Sequence, residues 1–375
     1  MMALLPAPAR VGMPLSEVDT PALLLDLDVF ERNMDTLNAT LAGRKIRVRP
    51  HAKSHKCPEI ALRQMARGAV GVCCQKVSEA EAMVEGGVMN VLIANEVVGP
   101  PKLSRLAALG KRARVSVCAD DAKNVSDLDQ AARAAGVKLD VLVELDVGTH
   151  RCGVMPGRPA AELAAWIASM KNLRFSGLHA YHGAAQHARK PEERQAAIAA
   201  AVQQVTLTVN LLRDQGLNVD VVTGAGTGTY LLEAASEVYT EIQPGSYIFM
   251  DADYNRNQDE KGKPVGTFAQ SLFVWTTIMS HTMVPRAVVD AGLKALSVDS
   301  GMPLVADLSG AEYLKASDEH GVLRLPSGTQ IAIGDKLRLI PGHCDPTVNL
   351  YDWIVGIRRD RVESVWPITA RGAFY

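Results

Sequence analysis

Short apolar runs alternate with amphipathic stretches from about residue 20 to residue 250. The runs, rich in valine, leucine and isoleucine, predict strands at 22–27, 46–50, 70–74, 91–94, 115–118, 141–145, 175–180, 219–222 and 242–250. The stretches between them predict helices that include 58–67, 78–86, 101–109, 122–135, 160–170 and 191–215. Strands that alternate with helices pair in parallel. Eight or nine such units predict a (β/α)8 barrel of the TIM type, with a doubly wound sheet as the alternative.

The pattern changes after about residue 255. Short β-branched runs separated by turns follow at 272–278, 286–289, 322–325, 336–340, 353–357 and 362–367. They predict a mainly antiparallel β domain. We therefore expect a barrel domain over residues 18–255 and a β domain over residues 256–375, to which about residues 1–17 could add a strand.

Composition narrows the range of functions. The 375 residues suffice for two domains, and the net charge of -1 points to neither a nucleic acid nor a membrane surface as a partner. No apolar run reaches the roughly 20 residues of a membrane helix, and the start of the chain has no basic region of a secretory signal. Six cysteines without a CxxC pair are typical of reduced thiols. These features predict a cytoplasmic protein.

The first candidate site lies at the carboxyl end of the predicted strand 46–50 and extends beyond it. In an extended chain Arg47, Arg49, His51 and Lys53 share one face. Barrel interiors are usually filled by aliphatic side chains, so a polar row at the carboxyl end of a strand is a candidate site. Lysine suits a Schiff base there, because burial and nearby cations lower its pKa. The alternative is an edge strand with a solvated basic face.

One glycine-rich turn follows the predicted strand 219–222, and a second glycine-containing turn ends the next predicted strand. The first fails as a dinucleotide fingerprint, because a threonine stands where the third glycine should fall. Converging N–H groups and hydroxyls suit a phosphate, which such barrels usually bind after strands 7 and 8. Simple turns are the alternative. The two turns are Thr223-Gly224-Ala225-Gly226-Thr227-Gly228-Thr229 and Gly245-Ser246-Tyr247.

Further candidates follow other predicted strands. His343 and Asp345, two residues apart, suit a divalent cation, although such a pair is also common in loop hydrogen bonds. His182 is a candidate acid or base, with a structural role as the alternative. Arg151 could meet an anion or a ring.

The order of these motifs resembles that of the D-threonine aldolase family, from about residue 18 to the C-terminus. The resemblance lies in residues 49–56, 71–76, 224–228, 245–247 and 343–347. The family belongs to the alanine-racemase-like, fold type III pyridoxal 5′-phosphate enzymes, which have a barrel and a β domain. Its relatives include D-3-hydroxyaspartate aldolase and D-serine dehydratase.

The resemblance implies a role for each candidate residue. Lys53 would carry pyridoxal phosphate as a Schiff base, and His343 and Asp345 would bind the metal. A homodimer is implied as well. The remaining cofactor-binding residues would be Gln75, Arg151, Tyr181, Gly224, Gly226, Thr227, Gly245, Ser246 and Tyr247.

The implied reaction is retro-aldol cleavage of a D-3-hydroxy amino acid to glycine and an aldehyde. The catalytic groups would be Lys53 and a base, either His182 or a metal-bound hydroxide. Asp345 stands where the dehydratase branch has cysteine, which favours Mn²⁺ or Mg²⁺ over Zn²⁺ and an aldolase over a dehydratase.

The resemblance leaves two substrates. Residues near Lys53 look like D-threonine aldolase, and residues 294–303, 317–321 and 342–352 look like 3-hydroxyaspartate aldolase. Both substrates stay open, and a non-catalytic carrier of pyridoxal phosphate is the remaining alternative.

Overall fold

The protein has two sheets, a parallel barrel and a nine-stranded second sheet, and the strand nearest the N-terminus belongs to the second sheet. The structure is a computed structural model and describes residues 6–375. Strand β1 (Ala22–Asp26) pairs antiparallel with residues 272–275 and parallel with residues 354–357. Its leucines are fully buried, and such a run fits a central strand in either kind of sheet. The prediction of a barrel strand over residues 22–27 is therefore wrong.

Eight parallel strands form the barrel, in the order β2-β9-β8-β7-β6-β5-β4-β3. A bridge between His51 and Cys73 joins the two ends of the sheet, and the Cys73 N–H donates to the Pro50 carbonyl at 2.8 Å. The predicted (β/α)8 barrel is confirmed. Its strands are β2 (Arg47–Val48), β3 (Val72–Cys74), β4 (Asn90–Glu96), β5 (Arg114–Ala119), β6 (Leu139–Glu144), β7 (Leu173–Ala180), β8 (Val221–Gly224) and β9 (Glu241–Ile242).

Helices lie around the barrel, and most bury apolar residues in its core, as Leu106 does beside Ile93 of the sheet, whereas the first helix packs in the core shared with the second sheet. They are α1 (Leu27–Thr40), α2 (Pro58–Ala66), α3 (Val77–Glu85), α4 (Pro100–Leu109), α5 (Ala122–Ala135), α6 (Arg158–Ser169), α7 (Pro191–Asp214) and α8 (Tyr230–Ala234). Capping fixes several starts: Asp121 accepts the Asn124 N–H at 2.8 Å at the start of α5. Short 3₁₀ turns Ala52–Ser54, Ala184–His187 and Ser246–Ile248 follow β2, β7 and β9.

Helix α7 is the one helix of residues 6–375 that is long and apolar enough to cross a membrane by length and composition alone. Ile198, Val205 and Leu212 on one side of it are buried in the core of the barrel domain. Core helices of soluble proteins pass the same test, so this property is weak support for a membrane span.

The second sheet has nine strands, in the order β11-β14-β13-β12-β15-β10-β1-β16-β17. All its pairings are antiparallel except β1 with β16, and β11 also pairs with β10, which closes six strands into a small barrel. This confirms the mainly antiparallel β domain. Its elements after β1 are β10 (Leu272–Met283), β11 (Arg286–Val289), β12 (Leu304–Val305), β13 (Glu312–Ala316), β14 (Gly321–Arg324), β15 (Lys336–Ile340), α9 (Cys344–Val348), β16 (Trp353–Arg358) and β17 (Arg361–Pro367).

Residues 12–14 lie along β17. The Gly12 N–H donates to the Val362 carbonyl at 2.8 Å, and Pro14 forms a bridge with Arg361. Residues 1–5 of the predicted N-terminal addition lie outside the described residues. The domain bounds at residues 18, 255 and 375 stay a prediction.

A buried ion pair lies inside the barrel. Arg49 Nε donates to Glu241 Oε1 at 2.7 Å and Nη2 donates to Oε2 at 3.3 Å. Arg49 Nη1 also donates to Asn90 Oδ1 at 3.0 Å. Because both charges are buried, each depends on the other for compensation.

Replacing Glu241 with alanine should therefore destabilise the barrel. We expect the free energy of unfolding to fall by about 3–5 kcal/mol, because Arg49 stays buried without its carboxylate. Urea denaturation measures the change. The control is Glu312→Ala, which removes the exposed partner of Arg324 and should leave stability nearly unchanged. Similar losses in both variants would contradict the role assigned to the buried pair.

Candidate active site

A cleft with a volume of about 130 Å³ opens where the carboxyl ends of the barrel strands face the β domain. Parallel strands end on the same side of a barrel, so side chains distant in sequence meet there. The predicted site residues that line the cleft are Lys53, Gln75, Arg151, Tyr181, Gly226, Thr227, Gly245, Ser246, His343 and Asp345.

Gly224 and Tyr247 lie next to the cleft without lining it. A Cβ added at Gly224 would lie 2.2 Å from the Ala180 carbonyl oxygen, so only glycine fits between these strands. The Tyr247 hydroxyl accepts a hydrogen bond from Gln64 Nε2 at 3.1 Å, and the Tyr247 N–H donates to Thr227 Oγ1 at 3.0 Å. Neither residue lines the cleft, where direct contact with the cofactor was expected.

His182 is not among the residues that line the cleft. A Cβ added at Gly148 would lie 2.6 Å from its Nε2, and its Nδ1 is buried without a hydrogen-bond partner in the described chain. Burial lowers the pKa of His182 despite the opposing charge of Asp146. This placement does not support the predicted role of His182 as the base.

Lys53 reaches the cleft from a turn and not from a strand. Strand β2 ends at Val48, and Lys53 lies in the 3₁₀ turn Ala52–Ser54, so the predicted alternation does not extend to it. Lys53 Nζ lies 3.8 Å from Asp345 Oδ2. Burial lowers the pKa of Lys53, but the nearby carboxylate of Asp345 outweighs this effect and the pKa is raised. This direction is opposite to the lowered pKa that we expected.

His51 and Gln75 form a neutral pair beside Lys53. Gln75 Nε2 lies 2.8 Å from His51 Nε2 and donates to the Ala94 carbonyl at 3.2 Å. Burial, with the charges of Lys53 and His179, holds the pKa of His51 well below its usual range. The imidazole of His51 is therefore a much weaker base than a free histidine and does not compete with Lys53 for a proton.

The two glycine turns present unused donors to the cleft. Among residues 6–375, the backbone N–H groups of Gly226, Thr227, Gly245 and Ser246 donate to no protein acceptor, although all four residues are buried. Buried donors without acceptors are costly, so they indicate a ligand with several acceptor oxygens. The four groups fit a phosphate.

Gln186 holds the first glycine turn in place. Its Oε1 accepts the Gly228 N–H at 3.0 Å, and its Nε2 donates to Thr229 Oγ1 at 2.8 Å. Thr229 in turn donates to Glu233, whose pKa is raised to about 7 by burial. A Cβ added at Gly226 would lie 2.5 Å from Gln186 Oε1. The turn therefore packs directly on Gln186 and needs glycine at 226.

His343 and Asp345 meet in the cleft at the start of α9. His343 is the N-cap of this helix, so the pair does not lie in the extended chain from which we predicted it. The buried Asp251 accepts the Cys344 N–H at 2.9 Å, and Thr347 Oγ1 donates to the His343 carbonyl at 2.8 Å. The turn is thus rigid, and one imidazole and one carboxylate are suitable donors for a divalent cation.

His187, which sequence reasoning did not select, lines the cleft with its neighbour Tyr254. His187 Nδ1 lies 2.6 Å from Asp253 Oδ2, and Arg189 and Arg256 bind the other oxygen of Asp253. Burial would raise the pKa of Asp253, but these three partners lower it. Two histidines follow β7 in sequence, and spacing alone could not distinguish His182 from His187.

A buried histidine forms part of the cleft wall. His179 Nδ1 lies against Glu144, and Nε2 lies 3.1 Å from Gln243 Oε1. Burial lowers the pKa of His179, but Glu144 outweighs it and the pKa is raised. The carboxylate of Glu144 therefore favours the protonated form of His179. His179 shares a strand face with Tyr181 two residues on, and that alternation was the signal that could have found it.

Arg151 carries an unused positive charge at the cleft. Its guanidinium carbon lies 5.9 Å from the centre of the Tyr181 ring. Within the described chain no carboxylate pairs with it. An anionic ligand could therefore bind there without displacing a protein partner.

Comparisons with known proteins agree with this arrangement. Residues 25–253 match the family of the alanine racemase N-terminal domain, and residues 271–357 match a serine dehydratase domain. The chain is 48% identical to 3-hydroxy-D-aspartate aldolase of Paracoccus denitrificans, over 98% of this chain and 96% of that protein. It is 47% identical to D-threonine aldolase of an Arthrobacter species, over 98% and 97% of the two chains.

A solved structure is similar throughout. The crystal structure of D-threonine aldolase from Filomicrobium marinum superposes with a TM-score of 0.96, at 52% identity, and the match covers 99% of this chain and 100% of that chain. The chain therefore belongs to the alanine-racemase-like family, in the branch of the D-threonine and 3-hydroxy-D-aspartate aldolases.

Proposed function

We propose that this protein cleaves D-threonine, or a similar D-3-hydroxy amino acid, into glycine and an aldehyde. The observation that carries the proposal is that one cleft is lined by Lys53, both glycine turns and the pair His343 and Asp345. The similarity to aldolases over nearly the whole chain supports it. The family implies pyridoxal 5′-phosphate as the cofactor.

Lys53 would hold the cofactor through a Schiff base at Nζ. The N–H groups of Gly226, Thr227, Gly245 and Ser246 would hold its phosphate, and Gln75, Arg151 and Tyr181 would border its ring. When bound, pyridoxal phosphate supplies a conjugated ring that accepts the electrons of the breaking Cα–Cβ bond.

His343 and Asp345 would hold a divalent cation beside Lys53. The carboxylate favours Mn²⁺ or Mg²⁺ over Zn²⁺. Such an ion lowers the pKa of a bound hydroxyl. Two protein ligands leave room for the β-hydroxyl of the substrate.

We infer that His187 takes the proton of the β-hydroxyl, in place of His182. Asp253 binds Nδ1 of His187 at 2.6 Å, which leaves Nε2 as the basic nitrogen. Asp253 would also stabilise the imidazolium that forms. Cleavage of the Cα–Cβ bond then releases the aldehyde, and protonation of Cα gives glycine.

D-3-Hydroxyaspartate is the second candidate substrate. The unpaired Arg151 at the cleft suits a carboxylate, and a 3-hydroxy-D-aspartate aldolase is 48% identical to this chain. This substrate would yield glycine and glyoxylate.

The oligomeric state and the cellular location of the protein are also proposals. We propose a homodimer, as the resemblance implies, and a cytoplasmic location, which the six free cysteines support. Light scattering of the purified protein tests the first.

Assays of the purified protein with pyridoxal phosphate and Mn²⁺ test the activity. We expect glycine and acetaldehyde from D-threonine and none from L-threonine, which is the stereochemical control. Faster release of glyoxylate from D-3-hydroxyaspartate would select the second substrate. Ammonia without glycine would indicate a dehydratase, and no turnover with full cofactor occupancy would indicate a carrier; either would contradict the proposal.

Replacing His187 with glutamine should lower kcat by about 10²- to 10⁴-fold, the range for loss of a general base. Cofactor absorbance and Mn²⁺ binding should stay unchanged, because His187 pairs with Asp253 and is not among the residues that would hold either group. The control is His182→Gln, which should retain most activity. The reverse pattern would restore His182 as the base.

Replacing Gly226 with alanine should weaken cofactor binding by about tenfold or more, comparable to losing one hydrogen bond to a charged group. The added methyl group would displace Gln186 and shift the N–H groups of the turn. Equilibrium dialysis with pyridoxal phosphate measures the change. Gly266→Ala, where an added Cβ meets nothing within 4 Å, is the control. Equal affinities in the two variants would argue against a phosphate at this turn.

A further inference from the structure

Asp299 contacts His343 from outside the cleft. It lies between β11 and β12, and its Oδ2 is 2.9 Å from His343 Nδ1. Since Nδ1 is engaged, Nε2 is the only ring nitrogen left for another partner. His343 lines the cleft, whereas Asp299 does not.

Two serines fix the carboxylate of Asp299. Ser297 Oγ donates to Oδ1 at 2.7 Å, and Ser300 Oγ donates to Oδ2 at 3.0 Å. The Ser297 N–H donates to Thr347 Oγ1 at 3.2 Å, and Thr347 belongs to the helix that begins after His343. The Asp299 loop and the His343 turn are therefore tied together at two points.

The backbones of the loop and the turn also touch. A Cβ added at Gly342 would lie 2.0 Å from the Gly301 carbonyl oxygen, so glycine is required immediately before His343. On the far side, Arg256 Nη2 donates to the Ser300 carbonyl at 2.7 Å and also binds Asp253. The loop that carries Asp299 is thus held from both sides, and Asp299 has one defined position relative to the imidazole.

We propose that Asp299 is a positioning residue for His343, which it holds with Nδ1 protonated and Nε2 presented to the divalent cation. Carboxylates that bind the far nitrogen of a ligand histidine fix its tautomer and ring orientation. The proposal rests on the proposed function, because it takes His343 as a metal ligand. It adds a residue 44 positions earlier in the chain to that site.

Stability does not explain this arrangement. The Asp299 side chain is 50% exposed and that of His343 is 27% exposed. Exposed ion pairs contribute little to folding. A variant without the Asp299 carboxylate should therefore fold, and its defect should be confined to the metal.

The test is Mn²⁺ binding to the metal-free enzyme that retains pyridoxal phosphate, followed by the EPR signal of free Mn²⁺. We expect Asp299→Ala to raise the Kd by about 10- to 100-fold, the usual cost of losing such a partner. Asp299→Asn should lose less, because its amide oxygen still accepts the Nδ1 proton. The matched control is Asp318→Ala in another exposed loop of the β domain, which should bind as the parent does.

His343→Ala and cofactor absorbance separate the outcomes. If His343→Ala loses Mn²⁺ and Asp299→Ala binds it normally, the positioning role is wrong and the proposed metal site stands. If His343→Ala binds Mn²⁺ normally, the metal site itself is wrong, and the positioning role falls with it. If Asp299→Ala also loses cofactor absorbance, Asp299 has a general structural role and the proposal is overturned.

Discussion

The 3.8 Å contact between Lys53 and Asp345 requires the two domains to keep one fixed relation. Lys53 comes from a 3₁₀ turn of the barrel domain and Asp345 from the first turn of α9, so a shift of either domain would separate them. Asp251, at the end of the barrel, holds the Cys344 N–H next to Asp345. Strand β1 strengthens the connection, because it is central in the second sheet and leads directly into α1 beside the barrel. The cleft therefore exists only when both domains are folded.

Local patterns were sufficient to predict the repeating part of the fold. The run at 115–118 is fully buried in β5 and stands between clear helices, so its period and its neighbours agree. The run at 22–27 has the same composition but pairs with strands far along the chain. Burial on both faces removes the alternation that would have distinguished the two sheets. Which of the two sheets such a strand joins depends on its long-range pairing, and no local sequence signal encodes that pairing.

In the candidate site, too, some residues could be predicted from local motifs and others could not. Lys53, Gly226 and His343 could be selected because each lies in a compact motif that follows a predicted strand. His187 and Asp299 depend on partners 66 and 44 residues away, and that distance leaves no periodic trace. Charge states also depend on the fold: the raised pKa of Lys53 comes from Asp345, a residue of the other domain. Sequence can therefore propose which residues react, but not which groups orient or ionise them.

The position of β1 affects the order in which the chain can fold during synthesis. Leu23 pairs with Ile354, so β1 leaves the ribosome before every barrel strand, and this partner emerges after all of them. All the barrel strands emerge in that interval and can pair without it. Until β10 and β16 have both been synthesised, β1 lacks its strand partners on the two sides, and exposed apolar segments of this kind are where nascent chains aggregate. We therefore expect a chaperone that binds this nascent chain to shield β1 until both partner strands are available.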